Sequence, residues 1–185
     1  MTSETKPALV ALEKLKAGNK VYLNAEKNGG DISPRARLYT YQNGQSPYVV
    51  IVGCADSRVI PESIFSAGIG ELFVIRAAGN VLDNFALGSV EYAVEHLGCK
   101  LVVVMGHTGC GAVGAAHGQN SGYLKHITDE IKNAIGDERD ANKASILNAK
   151  HSADKIKSVL PQTEGVVVVS ALYHTDSGKV DFFEE

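Results

Sequence analysis

Apolar positions along this chain follow two periods, and the two alternate. From Ala8, the apolar residues Leu12, Leu15, Tyr22 and Leu23 recur at helical spacing with Lys and Glu between them, which predicts a long amphipathic helix. Asn28-Gly29-Gly30-Asp31 ends it, and Ser33-Pro34 is expected to bar a restart. After a polar loop over Gln42 to Pro47, Tyr48 to Val52 is an unbroken apolar, β-branched run, the pattern of a parallel strand covered on both faces. Leu101 to Met105 and Val166 to Val169 repeat it, the last running on towards Tyr173, and Glu71 to Arg76, entered through the turn at Gly68 and Gly70, reads as a further strand. Between them lie helical stripes: Leu87, Val90, Val94 and Leu97 behind a capping Asp83; Leu124, Ile127, Ile131 and Ile135; and Ile146, Ala149, Ala153, Ile156 and Leu160, stopped at Pro161. Pro61 suits the first turn of a short helix before Ile64 and Phe65. Asp176-Ser177-Gly178 is a turn signal, after which Lys179 to Phe183 is expected to add an antiparallel edge strand. Strands alternating with helices predict a three-layer α/β fold with a mainly parallel central sheet. The long first helix has two readings, packing on its own domain or lying against a partner subunit.

Composition narrows this picture only modestly. The 185 residues suit one domain spanning 1–185, with Met1 to Pro7 frayed. A net charge of -3 gives no reason to expect nucleic acid or an anionic membrane as partner. No apolar run approaches the length of a membrane span, and the first residues lack the pattern of a secretion signal. Three cysteines are too few for a disulfide framework, so reduced thiols in a cytoplasmic, metal-binding protein are expected.

Two short stretches carry the chemistry. Cys54-Ala55-Asp56-Ser57-Arg58 follows the first strand, and His107-Thr108-Gly109-Cys110 follows the third. Loops at the carboxyl ends of neighbouring parallel strands converge on one edge, so two thiols, an imidazole and a carboxylate meet there. Zinc favours thiolate and imidazole ligands in tetrahedral geometry, and Cys54, His107 and Cys110 supply three. Cys99 lies at the wrong end of its strand to be a fourth. Asp56 either takes the fourth place or stands beside it. Arg58, by favouring the charged carboxylate, can keep Asp56 off the metal and ready to accept a hydrogen bond from a zinc-bound hydroxide, aiming its lone pair at an electrophile. Two thiolates cancel the charge of zinc, so activity is expected to rise through neutral into alkaline pH.

These two motifs resemble the zinc-binding signature of the β-class carbonic anhydrases. Gly44-Gln45-Ser46-Pro47, Gly70-Glu71-Leu72-Phe73-Val74-Ile75-Arg76 and Ser89-Val90-Glu91-Tyr92-Ala93 resemble further family segments in the same order. The resemblance implies reversible hydration of carbon dioxide to bicarbonate and a proton. Zn2+ would be held by Cys54, His107 and Cys110, with Asp56 and Arg58 as the orienting dyad. In the plant-type branch, Gln45, Phe73 and Tyr92 match the substrate pocket, the glutamine side coming from the partner of a homodimer or higher homo-oligomer. By its position on the helix, Tyr92 also fits a core residue, and so does Phe73 by strand alternation. Another branch builds an inhibitory bicarbonate pocket around a tryptophan three residues before the first zinc cysteine. Ile51 stands there and the chain has no tryptophan, which implies the open, water-bound form; in that branch's closed form Asp56 itself ligates zinc. Arg76 fits either an interface residue or a support for the dyad, and is left unassigned. Two other functions fit the zinc ligands: hydrolysis of carbonyl sulfide or carbon disulfide on the same scaffold, and zinc binding without catalysis. The intact Asp56–Arg58 pair weighs against the latter.

Overall fold

The computed structural model describes residues 5–160 and 165–183. Five strands, β1 (Val49–Cys54), β2 (Leu72–Ala77), β3 (Leu101–His107), β4 (Val167–Tyr173) and β5 (Val180–Phe183), form one sheet in the order β2-β1-β3-β4-β5. The first four run parallel, and β5 returns antiparallel to β4. Every residue of β1 and β3 is buried, which is why both read as continuous apolar runs.

Alternate residues of these strands enter two separate cores. Val49, Ile51, Leu101, Val103 and Met105 pack under α1 (Lys6–Tyr22) and α3 (Pro61–Ile64). Val50, Val52, Val102 and Val104 pack under α4 (Asn84–Glu95) and α7 (Ala141–Val159). The result is the expected three layers. A third cluster, with Ile131 and Ile135 of α6 (Gly122–Ile135) and Val113 of α5 (Gly111–Ala115), closes over Cys54 and Cys110 at the carboxyl edge. Asp83 caps α4 as expected, accepting from the Ala86 N–H at 2.8 Å.

Several expectations need correction. Ser33-Pro34 does not bar a helix; it starts one, α2 (Pro34–Asn43). Ser33 takes the extended conformation that a following proline favours, and its Oγ accepts from the Ala36 N–H at 3.2 Å. Pro34 occupies the first turn, where the missing N–H costs nothing. For the same reason α1 begins at Lys6 and takes in Pro7, which was expected to fray; residues 1–4 lie outside the described residues. Leu23 and Leu124, assigned to apolar stripes, are exposed. The expected stop of α7 at Pro161 lies outside the described residues. Of the two readings of the first helix neither is overturned: α1 lays Ala8, Ala11, Leu12 and Leu15 on its own sheet and leaves Val10 and Val21 outward.

Candidate metal centre

Strand order brings the two motifs together. From β1 the chain moves to β2 on one side of the sheet, and then through α4 to β3 on the other. Loops after β1 and β3 therefore diverge and leave a crevice at the carboxyl edge. Cys54 ends β1, His107 ends β3, and Cys110 is the residue that enters α5. Their ligand atoms lie within 4.8 Å of one another, and all three side chains are buried.

His107 is prepared to be a ligand. Its Nδ1 lies 3.0 Å from the Thr108 carbonyl oxygen, which only accepts, so the proton sits on Nδ1. Nε2 is then left with a lone pair, and it is buried without a hydrogen-bond partner. An orphaned acceptor facing two thiols is the arrangement a zinc ion satisfies. The thiols share charge unequally. A hydrogen bond from Cys110, with those from the N–H groups of Asp56 and Gly79, holds the Cys54 thiol down to about 4 against the opposing effect of burial. The same contact pushes Cys110 up, because Cys54 takes the negative charge first.

Asp56 stands beside these groups, its Oδ2 3.9 Å from His107 Nε2. Arg58 donates from Nε to Oδ1 at 2.9 Å and from Nη2 to Oδ2 at 2.8 Å, and its backbone N–H reaches Oδ1 at 2.9 Å. These hydrogen bonds hold the Asp56 carboxyl well below the usual carboxylate range. Arg58 Nη2 also donates to the Gly109 carbonyl at 3.1 Å, tying one motif to the other. Of the two alternatives for Arg76, the structure places it at the dyad loop. Its Nε donates to the Cys54 carbonyl at 2.9 Å and its Nη2 to that of Asp56 at 2.7 Å, clamping the loop between ligand and carboxylate.

Gln45, Phe73 and Tyr92 are elsewhere. Gln45 is exposed in the loop before β1, at the amino end of the sheet. Phe73 pairs with Val50, four residues before the Cys54–Ala77 pair, or about 13 Å back along the strand at ~3.3 Å per residue. Its ring lies 6.2 Å from that of Tyr92, which is 46% exposed and so is not a core residue. One chain alone does not bring this trio to the ligands. Beside the carboxyl end of β2, an open groove of ≈ 520 Å³ is lined by Ile75, Arg76, Ala77, Phe85, His126 and Glu130, among others.

Comparison with known proteins agrees with this geometry. The sequence model of the carbonic anhydrase family matches residues 49–180. Carbonic anhydrase 2 of Mycobacterium tuberculosis is 31% identical over 190 residues, covering 92% of this chain and 90% of that one. The β-carbonic anhydrase structure from Aspergillus fumigatus superposes with a TM-score of 0.69 at 27% identity, covering 80% of each chain. A tetrameric β-carbonic anhydrase of Sordaria macrospora shares the fold, with a TM-score of 0.70 at 23% identity over 96% of this chain and 95% of that one. Sequence, fold and ligand set agree, and the chain belongs to the β-class carbonic anhydrases.

Proposed function

We propose that this protein hydrates carbon dioxide reversibly to bicarbonate and a proton, with zinc held by Cys54, His107 and Cys110 and a nucleophile oriented by Asp56 and Arg58. The observation that carries the reading is the buried, unpartnered Nε2 of His107 between two thiols, with an ionised carboxylate 3.9 Å away. Bound zinc supplies Lewis-acid chemistry, making a water acidic enough to act as a nucleophile near neutral pH.

The chain's own groups do the rest. An ionised Asp56 only accepts hydrogen bonds, so a hydroxyl beside Oδ2 points its proton at the carboxylate and its lone pair away, towards the carbon of carbon dioxide. Arg58 keeps Asp56 charged and fixes its plane with two parallel bonds. That bidentate contact supports the open form, in which Asp56 stands off the metal. Arg76 holds the loop that carries both groups.

The substrate pocket is completed by a second subunit in this reading. β2 is an edge strand, and a two-fold axis beside it and perpendicular to it would set β2 antiparallel to its copy. The amino half of one β2, with Phe73, then lies beside the carboxyl end of the other, over the groove at Arg76 and Ala77. Tyr92 travels with Phe73, and Gln45 approaches from the same end of the sheet, to donate a hydrogen bond to a bicarbonate oxygen. Phe85, which is 87% exposed, and the outward Val10 and Val21 suit burial in such a homodimer, with α1 reaching over the neighbour. A cytoplasmic location accords with three unpaired cysteines. Among the described residues no helix is long and apolar enough to cross a membrane.

The test is carbon dioxide hydration before and after stripping the metal with a chelator, and again after zinc is restored. Activity that follows zinc occupancy supports the reading. A zinc-loaded protein with no hydration activity in alkaline buffer overturns it, and carbonyl sulfide then becomes the substrate to assay.

A further inference from the structure

The Cys54 sulfur accepts a hydrogen bond from a turn well outside both motifs. Its Sγ lies 3.2 Å from the backbone nitrogen of Gly79, in the turn Ala78–Asn80 that follows β2. An N–H bonded to a thiolate draws electron density from the sulfur and fixes its direction, so such contacts orient and tune a metal ligand. The aim of that N–H depends on the turn.

The turn is not a relaxed one. Gly79 has φ +65° and Asn80 has φ +47°, both in the left-handed region. Asn80 is not glycine, is 1% exposed, and its Nδ2 has no hydrogen-bond partner. Such a residue persists only where its surroundings over-determine the backbone. Here the surroundings are consecutive turns of α7. Asn148 donates from Nδ2 to the Gly79 carbonyl at 2.7 Å, and Ser152, four residues on, donates from Oγ to the Asn80 carbonyl at 3.2 Å. Packing closes the other side, since a Cβ on Gly79 would lie 2.6 Å from Ile131 Cδ1 and 3.1 Å from Ala112 Cβ.

Asn148 is an unusual choice for its position. It is 1% exposed, next to the core residue Ala149, on the face of α7 that covers the sheet. A buried amide there is costly unless it is bonded, and its bond goes to the turn behind Cys54. We propose that Asn148 is a positioning residue of the metal centre. By holding the Gly79 carbonyl it fixes the backbone torsions of Gly79, which keeps the N–H on the other side of that residue's Cα on the Cys54 sulfur, and so sets how that thiolate holds and neutralises zinc. This rests on the reading of Cys54 as a zinc ligand.

Cobalt(II) substitution reads the sulfur directly. In Asn148→Ala the sulfur-to-cobalt charge-transfer band moves to longer wavelength, because a thiolate relieved of one of its two N–H hydrogen bonds gives up charge more easily. Zinc affinity, measured by chelator competition, falls about 10- to 100-fold. Ser152→Ala, acting one peptide further from the sulfur, moves the band less. A purely packing role lowers Tm and leaves the band where it was. A folded Asn148→Ala with band and zinc affinity unchanged overturns the proposal. Should that variant not fold, Asn148→Leu, of similar volume but without a donor, is read in the same way. Wild-type protein that takes up neither zinc nor cobalt at one ion per chain overturns the metal reading itself, and this inference with it.

Discussion

Arg58 grips Asp56 with both arms of its guanidinium, Nε on Oδ1 at 2.9 Å and Nη2 on Oδ2 at 2.8 Å. Arg58 is more than half exposed, so the pair adds little to stability; its effect is on orientation. A lysine keeps the charge but cannot make two parallel bonds while reaching the Gly109 carbonyl. Arg58→Lys should therefore lower kcat/KM about 10- to 100-fold while leaving thermal stability nearly unchanged. Hydration kinetics beside a thermal melt check this, and a large loss of stability with activity intact would refute the assignment.

The same pair fixes the acid side of the pH dependence. The Asp56 carboxyl in the folded chain is held below its unfolded value of about 3.9 by the Arg58 hydrogen bonds. A depressed carboxylate stabilises the fold fully above that unfolded value, and the contribution is lost as pH falls through the folded one. Asp56 thus stays charged throughout the neutral range and does not titrate with activity. With two thiolates cancelling the charge of zinc, hydration should rise from neutral into alkaline pH. A rate flat from acid to alkaline pH, with zinc retained, contradicts this.

The proposed sharing of the pocket between subunits would have its own signature. Cys54→Ser alone should be inactive and Gln45→Ala weak. In a heterodimer of the two, one site carries both lesions and the other carries none. Co-expressed subunits should then recover about half of wild-type activity per heterodimer when the glutamine acts across the two-fold. Activity no higher than that of the Gln45→Ala chain places the whole pocket in one subunit.

Packing of α1 on α3 depends on a glycine. A Cβ at Gly18 would lie 1.9 Å from the Phe65 carbonyl oxygen, a contact that no side-chain rotation relieves. Gly18→Ala gains about 1 kcal/mol in helix propensity and loses about 3 kcal/mol or more through overpacking. Urea unfolding should show net destabilisation; a more stable variant would mean that α1 rides freely on this end of the sheet.

Much of this architecture is legible in the chain because the informative signals are local. The β-branched runs of β1 and β3 declare buried parallel strands, and strand order alone carries Cys54 and His107 to one crevice. The misreadings have physical causes. Ser33-Pro34 can stop a helix or start one according to the residues after it, and α2, with no buried residue, offers no apolar stripe to decide between them. The glycine-rich α5 has too few side chains to show a period. Arg76 and Asn148 act on backbone carbonyls of segments distant in sequence, which no spacing announces. Gln45, Phe73 and Tyr92 are separated from Cys54, His107 and Cys110 within one chain, so their part in the site is a proposal that needs a second subunit.

The central claim is that an ionised Asp56, rather than zinc alone, makes this site an efficient hydratase. Stopped-flow hydration of carbon dioxide with a pH indicator, on wild type and Asp56→Ala at equal measured zinc content, tests it most directly. Fast turnover in the wild type that falls on the order of 10²-fold in the variant is the expected result. A variant that retains zinc and hydrates carbon dioxide as fast as the wild type would contradict it.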